Sequence, residues 1–278
     1  MNSLFTTTAF AILSTLALNS GFCADINEQI PNPKDVRIVP VDPTPEPDHV
    51  VTKILFPQNG EVKSSGTVKG QIRVDGFSLG TDSDFPRKKE IYNDNEGQAL
   101  HIFIDNQPYF AVNEALIDAL DDVQEYFDQT ADFTIPFKLQ PGMHVIRVFP
   151  VRSYNESLKD DGCFAASVFY YQKKADNPQV DLSQPYITYN EPQGEYSYND
   201  GEPILLDFYV TNCRLSKDGY KVRLTMDNNV QRTISNWQPY YIYGLKKGVH
   251  RIRLELLDPT NKPVGGLFND VQRTIVIK

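Results

Sequence analysis

Two tandem all-β sandwiches are the fold this sequence predicts, on three observations. Short apolar runs alternate with period two between regularly spaced turn residues. One order of features occurs twice along the chain. A polar stretch with two prolines, QKKADNPQVDLSQP, stands between the two occurrences.

The alternation starts near Val50, and strands are expected at VTKILF, GTVKGQIRV, ALHIFID, FTIPFKL, HVIRVF and CFAASVFYY. A second set follows at YITYN, PILLDFYV, YKVRLTMD, RTISNW, YYIYGL, HRIRLELL and RTIVIK. Within these sets HIFIDNQPYF answers RLTMDNNVQRTI, LQPGMHVIRVF answers LKKGVHRIRLEL, and FPQNGEV answers NEPQGEY. Asp105-Asn106 and Asp227-Asn228 suit tight hairpin turns, and Gly142 and Gly248 suit turns that need positive φ. The repeat divides the chain into a first sandwich over 50–172, a linker over 173–183 and a second sandwich over 184–278.

The first copy carries two insertions. Residues 81–97 are charged and turn-rich and read as a long solvated loop. Residues 112–128, VNEALIDALDDVQEYFD, place Ala115, Leu116, Ala119, Leu120, Val123 and Phe127 near three-four spacing, so a short amphipathic helix is expected, capped by Asn113.

Ahead of the sandwiches, Leu4–Leu18 is uncharged and largely apolar, too short to span a bilayer and suited to the core of a signal peptide over 1–23. Cleavage after Cys23 leaves Gly21 three residues back. Lipidation of Cys23 is disfavoured by bulky Phe22 before it. Residues 24–49 hold six prolines between Ile30 and His49 and are expected to be a semi-rigid spacer. Export permits a disulfide between Cys163 and Cys213, and two buried free thiols fit equally.

A net charge of −9 argues against nucleic acid and against anionic lipid as partners, since both require clustered Lys and Arg. No transmembrane segment is expected after signal cleavage.

The turns PGMH and KKGVH, each opening a late strand and followed by a closing strand, resemble the immunoglobulin-like and fibronectin-type-III-like modules of bacterial envelope proteins. HVIRVFPVRSYNESLKDDGCF and HRIRLELLDPTNKPVGGLFNDVQRTIVI are similar to bacterial exported proteins with tandem modules of this kind. The resemblance implies two immunoglobulin-like β-sandwiches, the first with an inserted helix, and implies no activity. Trp237, the single tryptophan, follows both cysteines, which departs from the antibody-domain pattern.

No chemistry-bearing motif accompanies the fold. His49, His101, His144 and His250 have no metal-ligand spacing, and His144 and His250 occupy equivalent places in the repeat, as structural residues would. There is no nucleophile elbow and no phosphate loop. Asp82, Asp84, Asp94 and Glu96 lack calcium-loop spacing. No catalytic residue, metal or cofactor is therefore expected. The candidates for binding are Trp237, Tyr240 and Tyr241 in NWQPYYIY, as an exposed aromatic patch, and Arg147, Arg152 and Glu156 in RVFPVRSYNESLK, as a polar recognition patch with Tyr154 and Lys159. The expectation is a non-catalytic binding or scaffolding protein, exported to the periplasm, cell surface or medium, that contacts a protein partner. A carbohydrate-binding module using the Trp237 cluster is the alternative, and a hydrolase would require a deep pocket.

Overall fold

A computed structural model of the chain describes residues 35–92, 96–116, 128–174, 180–197, 199 and 201–278. The expected signal peptide, Cys23 and most of the expected helix (117–127) lie outside the described residues. No described helix is long and apolar enough to cross a membrane.

Both halves are immunoglobulin-like sandwiches of the same eight-strand plan. One strand precedes them, β1 (Arg37–Pro40). The first half runs β2 (Val51–Phe56), β3 (Val62–Lys63), β4 (Lys69–Asp75), β5 (Ala99–Ile104), β6 (Phe110–Val112), β7 (Asp128–Thr134), β8 (Gly142–Val151) and β9 (Ala165–Tyr171). The second runs β10 (Tyr186–Glu191), β11 (Gly194–Tyr196), β12 (Ile204–Thr211), β13 (Lys221–Met226), β14 (Val230–Ile234), β15 (Tyr240–Tyr243), β16 (Gly248–Leu257) and β17 (Asp270–Ile277). Sheets β2-β4-β7 and β3-β9-β8-β5-β6 enclose one core, built on Ile72, Leu100, Ile102, Ile146 and Phe169. Sheets β15-β12-β10 and β11-β17-β16-β13-β14 repeat that order around Ile187, Phe208, Leu224, Ile252 and Ile275. Even irregularities recur: each first strand carries a register shift and a cis X-Pro bond, and then gives way to a short strand paired in parallel with the last.

The structure departs from the expected elements at several places. The described ends of the helix expected over 112–128 are not helical: Val112 closes β6, residues 113–116 are irregular and Asp128 opens β7. FTIPFKL is strand only at Phe133 and Thr134; beyond them Ile135 N–H donates to the Val68 carbonyl at 3.0 Å, and Pro136 has no N–H with which to continue a ladder. RTISNW is strand only as far as Ile234. Residues 81–97 are not a freely solvated loop, because Arg87 and Ile91 within them are buried. The expected spacer also contains β1, which pairs antiparallel with β15 and extends the second sandwich's sheet. Its sequence DVRIVPV alternates, and Val36 and Ile38 pack on the second core.

The repeated Asp and His residues form a lock that explains why both recur. Asp105 and Asp227 adopt left-handed φ of 52° and 48°, which Asp tolerates better than most residues. In the first copy, His144 Nδ1 donates to Asp105 Oδ2 and Nε2 to the Gln140 carbonyl, both at 2.7 Å. Val145 N–H donates to Asp105 Oδ1 at 2.9 Å. In the second, His250 Nδ1 donates to Asp227 Oδ2 at 2.8 Å, Nε2 to the Lys246 carbonyl at 2.7 Å, and Arg251 N–H to Asp227 Oδ1 at 2.7 Å. Gly142 and Gly248, at φ 139° and 137°, turn the chain into each lock. Carboxylate and carbonyl only accept, so each ring uses both nitrogens as donors and is an imidazolium. Burial opposes that charge, but the Asp and carbonyl hydrogen bonds outweigh it, and both histidines titrate above their ordinary range.

A raised histidine pKa stabilises the fold fully below the unfolded value, about 6.5, and its contribution fades as pH rises through the folded value. Asp227→Ala is therefore expected to cost ~1.5–3 kcal/mol at pH 6, the scale of a hydrogen bond to a charged group. Urea denaturation of both proteins at pH 6 and pH 9 checks this, and a deficit that does not shrink at pH 9 would count against the lock.

Candidate functional site

The sequence-designated binding residues converge on the seam between the two sandwiches. Along β5 the side chains of Leu100, Ile102 and Ile104 enter the first core, while Ala99, His101 and Phe103 point the other way and are buried as well. β8 behaves alike, with Ile146 and Val148 inside and Arg147, Phe149 and Val151 outside. Facing them are the outer residues of β12 and β10, among them Leu205, Asp207, Tyr209, Tyr186, Thr188 and Asn190, all buried.

The middle of the seam is an aromatic ladder. Phe103 meets Phe149 with centroids 5.2 Å apart, Phe149 meets Tyr209 at 5.1 Å, and Trp237 stands edge-on to Tyr209 at 5.0 Å. Trp237 is half-buried, and its indole N–H donates to the Phe208 carbonyl at 2.9 Å. Tyr240 turns inward to the second core and Tyr241 outward to the seam; both are buried. The three rings thus form no open aromatic face.

Arg147, Arg152 and Glu156 are buried too, against the chain's own other segments. Arg147 lies over the Phe268 ring at 3.7 Å and donates to Thr188 Oγ1 at 2.8 Å, to the Ile187 carbonyl at 3.2 Å and to the Asp105 carbonyl. Arg273 of β17 crosses the other way, donating to the Asn106 and Gln107 carbonyls at 2.8 and 3.1 Å. Arg152 donates to the Pro45 carbonyl and lies over Phe85 at 4.7 Å. Glu156 accepts from Thr44 N–H at 3.0 Å, Thr44 Oγ1–H at 2.6 Å and the Arg87 guanidinium. Arg87, held by a 3-10 turn over Pro86–Lys89, also donates to Tyr241 Oη at 3.1 Å and to the Asp42 carbonyl. Residues 35–47 and the first copy's charged insertion together strap the seam. Sequence reasoning missed Arg87, Thr44 and Asp207.

Three further polar side chains, Asp207, His101 and Glu191, sit deep in the seam. Asp207, fully buried, pairs with Lys159 Nζ at 2.6 Å and accepts from Asn190 Nδ2 at 2.8 Å. His101 donates to Asn190 Oδ1 at 2.7 Å, and burial lowers its pKa to about 3, so it stays neutral. Glu191 has hydroxyl and backbone donors around it, Tyr109, Tyr196 and Gln193 N–H. Burial raises its pKa to about 7 against those hydrogen bonds. Cys163 and Cys213 are free thiols, pushed by burial up to about 12 and about 11, away from thiolate reactivity. Among the described residues no group of three His, Cys, Asp or Glu is arranged to hold a metal.

The surfaces left open lie elsewhere. One groove holds Tyr92, 54% exposed, edge-on to Tyr196 with centroids 6.3 Å apart, beside Glu202, Pro203 and Lys246. At the end of the first sandwich, two depressions of about 410 and 700 Å³ adjoin at Thr134. Exposed Phe56 and Phe137 line them, with Lys63, Lys69 and Lys138 at their sides.

Removing Arg87 would leave Glu156 buried without its cation, so Arg87→Ala is expected to cost ~3–5 kcal/mol. An unchanged urea midpoint would refute that role. Burial raises the folded pKa of Glu191 from the ordinary glutamate value of 4.5 to about 7, so the fold binds its proton more tightly than the unfolded chain does. Stability contributed by this group is full at acid pH and is lost as pH rises from about 4.5 to about 7. Glu191→Gln should flatten that slope in melting curves taken across the window, and a slope as steep as wild type would exclude Glu191 as its source.

No protein-family model matches the chain. A sequence search of curated proteins finds no match either. Among solved structures, the chain is similar to the fibronectin(III)-like modules of CbhA from Clostridium thermocellum, at 14% identity over 82% of this chain and 94% of that one, with a TM-score of 0.28. It is similar to dimeric latent PorU from Porphyromonas gingivalis, at 13% identity over 93% of this chain and 21% of that one, with a TM-score of 0.27. It is also similar to SGBP-B from Bacteroides ovatus, solved with a mixed-linkage heptasaccharide, at 12% identity over 87% and 47%, with a TM-score of 0.18. At such identities and scores these likenesses carry no argument about chemistry or partner.

Proposed function

We propose that this chain is an exported, non-catalytic scaffolding protein whose two sandwiches act as one rigid unit and contact a protein partner through the end of the first that carries Phe56 and Phe137. The observation that carries this reading is the grouping of exposed apolar side chains there. Phe56, Val62 and Phe137 are 47%, 45% and 37% exposed, and three of the six large hydrophobic residues exposed among the described residues come from this one end. Large apolar side chains grouped on a surface and rimmed by polar ones favour protein contact over solvent. The rim beside them is polar and of mixed charge: Lys63, Lys69 and Lys138 stand there with Asp132, and Lys63 pairs with Glu61 at 2.7 Å. The apolar early segment over 1–23 supports export. A glycan would want open ring faces, and Tyr92 is the one described tyrosine more than a third exposed.

The test is affinity capture from the source's envelope fraction with the mature chain as bait, beside a Phe56→Ser/Phe137→Ser double variant and Tyr92→Ala. Wild type and Tyr92→Ala should retain the same protein, and the double variant should lose it at least ~10-fold, the scale of losing one well-buried anchor. Melting curves of the three baits should coincide. Recovery of glycan alone, or retention unaffected by the double substitution, would defeat the proposal.

A further inference from the structure

We propose that the edge of β15 is a strand-binding site with an exchangeable occupant, and that two copies of this chain associate by trading residues 35–47. The proposal goes beyond the partner-binding reading and does not depend on it.

β1 lies ahead of the first sandwich in sequence, yet completes the second. It pairs Arg37 with Tyr243, Ile38 with Ile242, Val39 with Tyr241 and Pro40 with Tyr240. Val36 is buried in the second core, and Ile38 packs against that core. Val41 N–H donates to the Pro239 carbonyl at 3.1 Å, and Gln238 Nε2 returns a hydrogen bond to the Val41 carbonyl at 3.2 Å. Further on, Thr44 enters the Arg87–Glu156 cluster and the Pro45 carbonyl accepts from Arg152. All these contacts are made by the strap itself. None needs the covalent connection to β2, so the same residues of a second copy satisfy every one of them. An edge left vacant would bare β15 backbone groups and the place of Val36, which drives refilling by whichever strap is at hand.

The connection to β2 is the natural hinge. Asp48 and His49 link the strap to Val50, and His49 adopts a left-handed φ of 60°, unfavourable for a residue other than Gly. Its carbonyl is pressed by Gly76, where an added Cβ would lie 2.9 Å away. Pro43, Pro45 and Pro47 keep the strap extended, so it docks with little further loss of entropy. A short connection held in an unfavourable conformation is the arrangement that favours exchange between copies, because opening it relieves strain while the docked contacts are re-formed in trans.

The experiment uses the mature full-length chain in two differently tagged forms. They are mixed, warmed to just below the unfolding midpoint, cooled, and examined by native mass spectrometry and light scattering. The expected result is a shift from one chain mass to two, with mixed-tag dimers that form only after warming. Deleting Asp48 and His49 shortens the hinge and should drive the population to dimer without warming. Val36→Asp, which blocks docking in cis and in trans alike, should abolish the dimer. Absence of mixed dimers in the warmed wild type overturns the proposal, whether or not the shortened variant folds. So does a dimer that survives Val36→Asp, since another surface would then be holding it.

Discussion

The burial of β5, β8, β10 and β12 on both faces is the constraint on which the rest of the molecule depends. A sandwich needs only one face of each sheet covered, and in an isolated domain the outer faces would meet water. Here Phe103, Phe149, Tyr209 and Leu205 occupy those outer faces, so neither sandwich presents a soluble surface without the other. Each large apolar side chain removed from water contributes roughly 1.5–3 kcal/mol, whereas buried ion pairs come close to breaking even after desolvation. The aromatic ladder therefore holds the seam together. Arg147, Arg273, Lys159 and Arg87 act differently, by penalising any docking in which their carbonyl and carboxylate acceptors are out of place.

The two copies share everything needed to make a sandwich and differ where they meet. The Asp–His lock, the strand order and the turn glycines are common property. The charged insertion of the first copy supplies Arg87 and Ile91 to the seam, and the second copy supplies Tyr209, Trp237 and Tyr241. What distinguishes the copies in sequence is thus largely what joins them in space.

Much of the fold was legible because strands with one wet face write their structure as alternation: KVRLTM alternates and forms β13. The seam was harder to read. Its signal was present in ALHIFI, VIRVFPV and YITYN, which run apolar or aromatic where alternation calls for charge, as strands covered on both faces do. Arg147 and Glu156 look like surface residues by type, and only the packing of a second sheet shows that their partners are backbone carbonyls and a threonine more than a hundred residues earlier. The prolines of residues 24–49 suggested a spacer, yet DVRIVPV within it alternates like a strand. Its partner, β15, is too distant in sequence for any local pattern to announce. The exposed Phe56 and Phe137 carried no sequence signal, since exposure of an apolar strand or turn residue depends on what fails to cover it.

The strap also fixes an order of events. Gln238 and Val41, which it brings together, are 197 residues apart, so a segment made early in synthesis finds its place only after one made much later has taken shape. The first sandwich can close its own core earlier, but its outer face and the strap must wait, bare, for β10, β12 and β15. A chain interrupted before β15 would hold one finished core and one sticky face, so completeness of the C-terminal half is what renders the N-terminal half soluble.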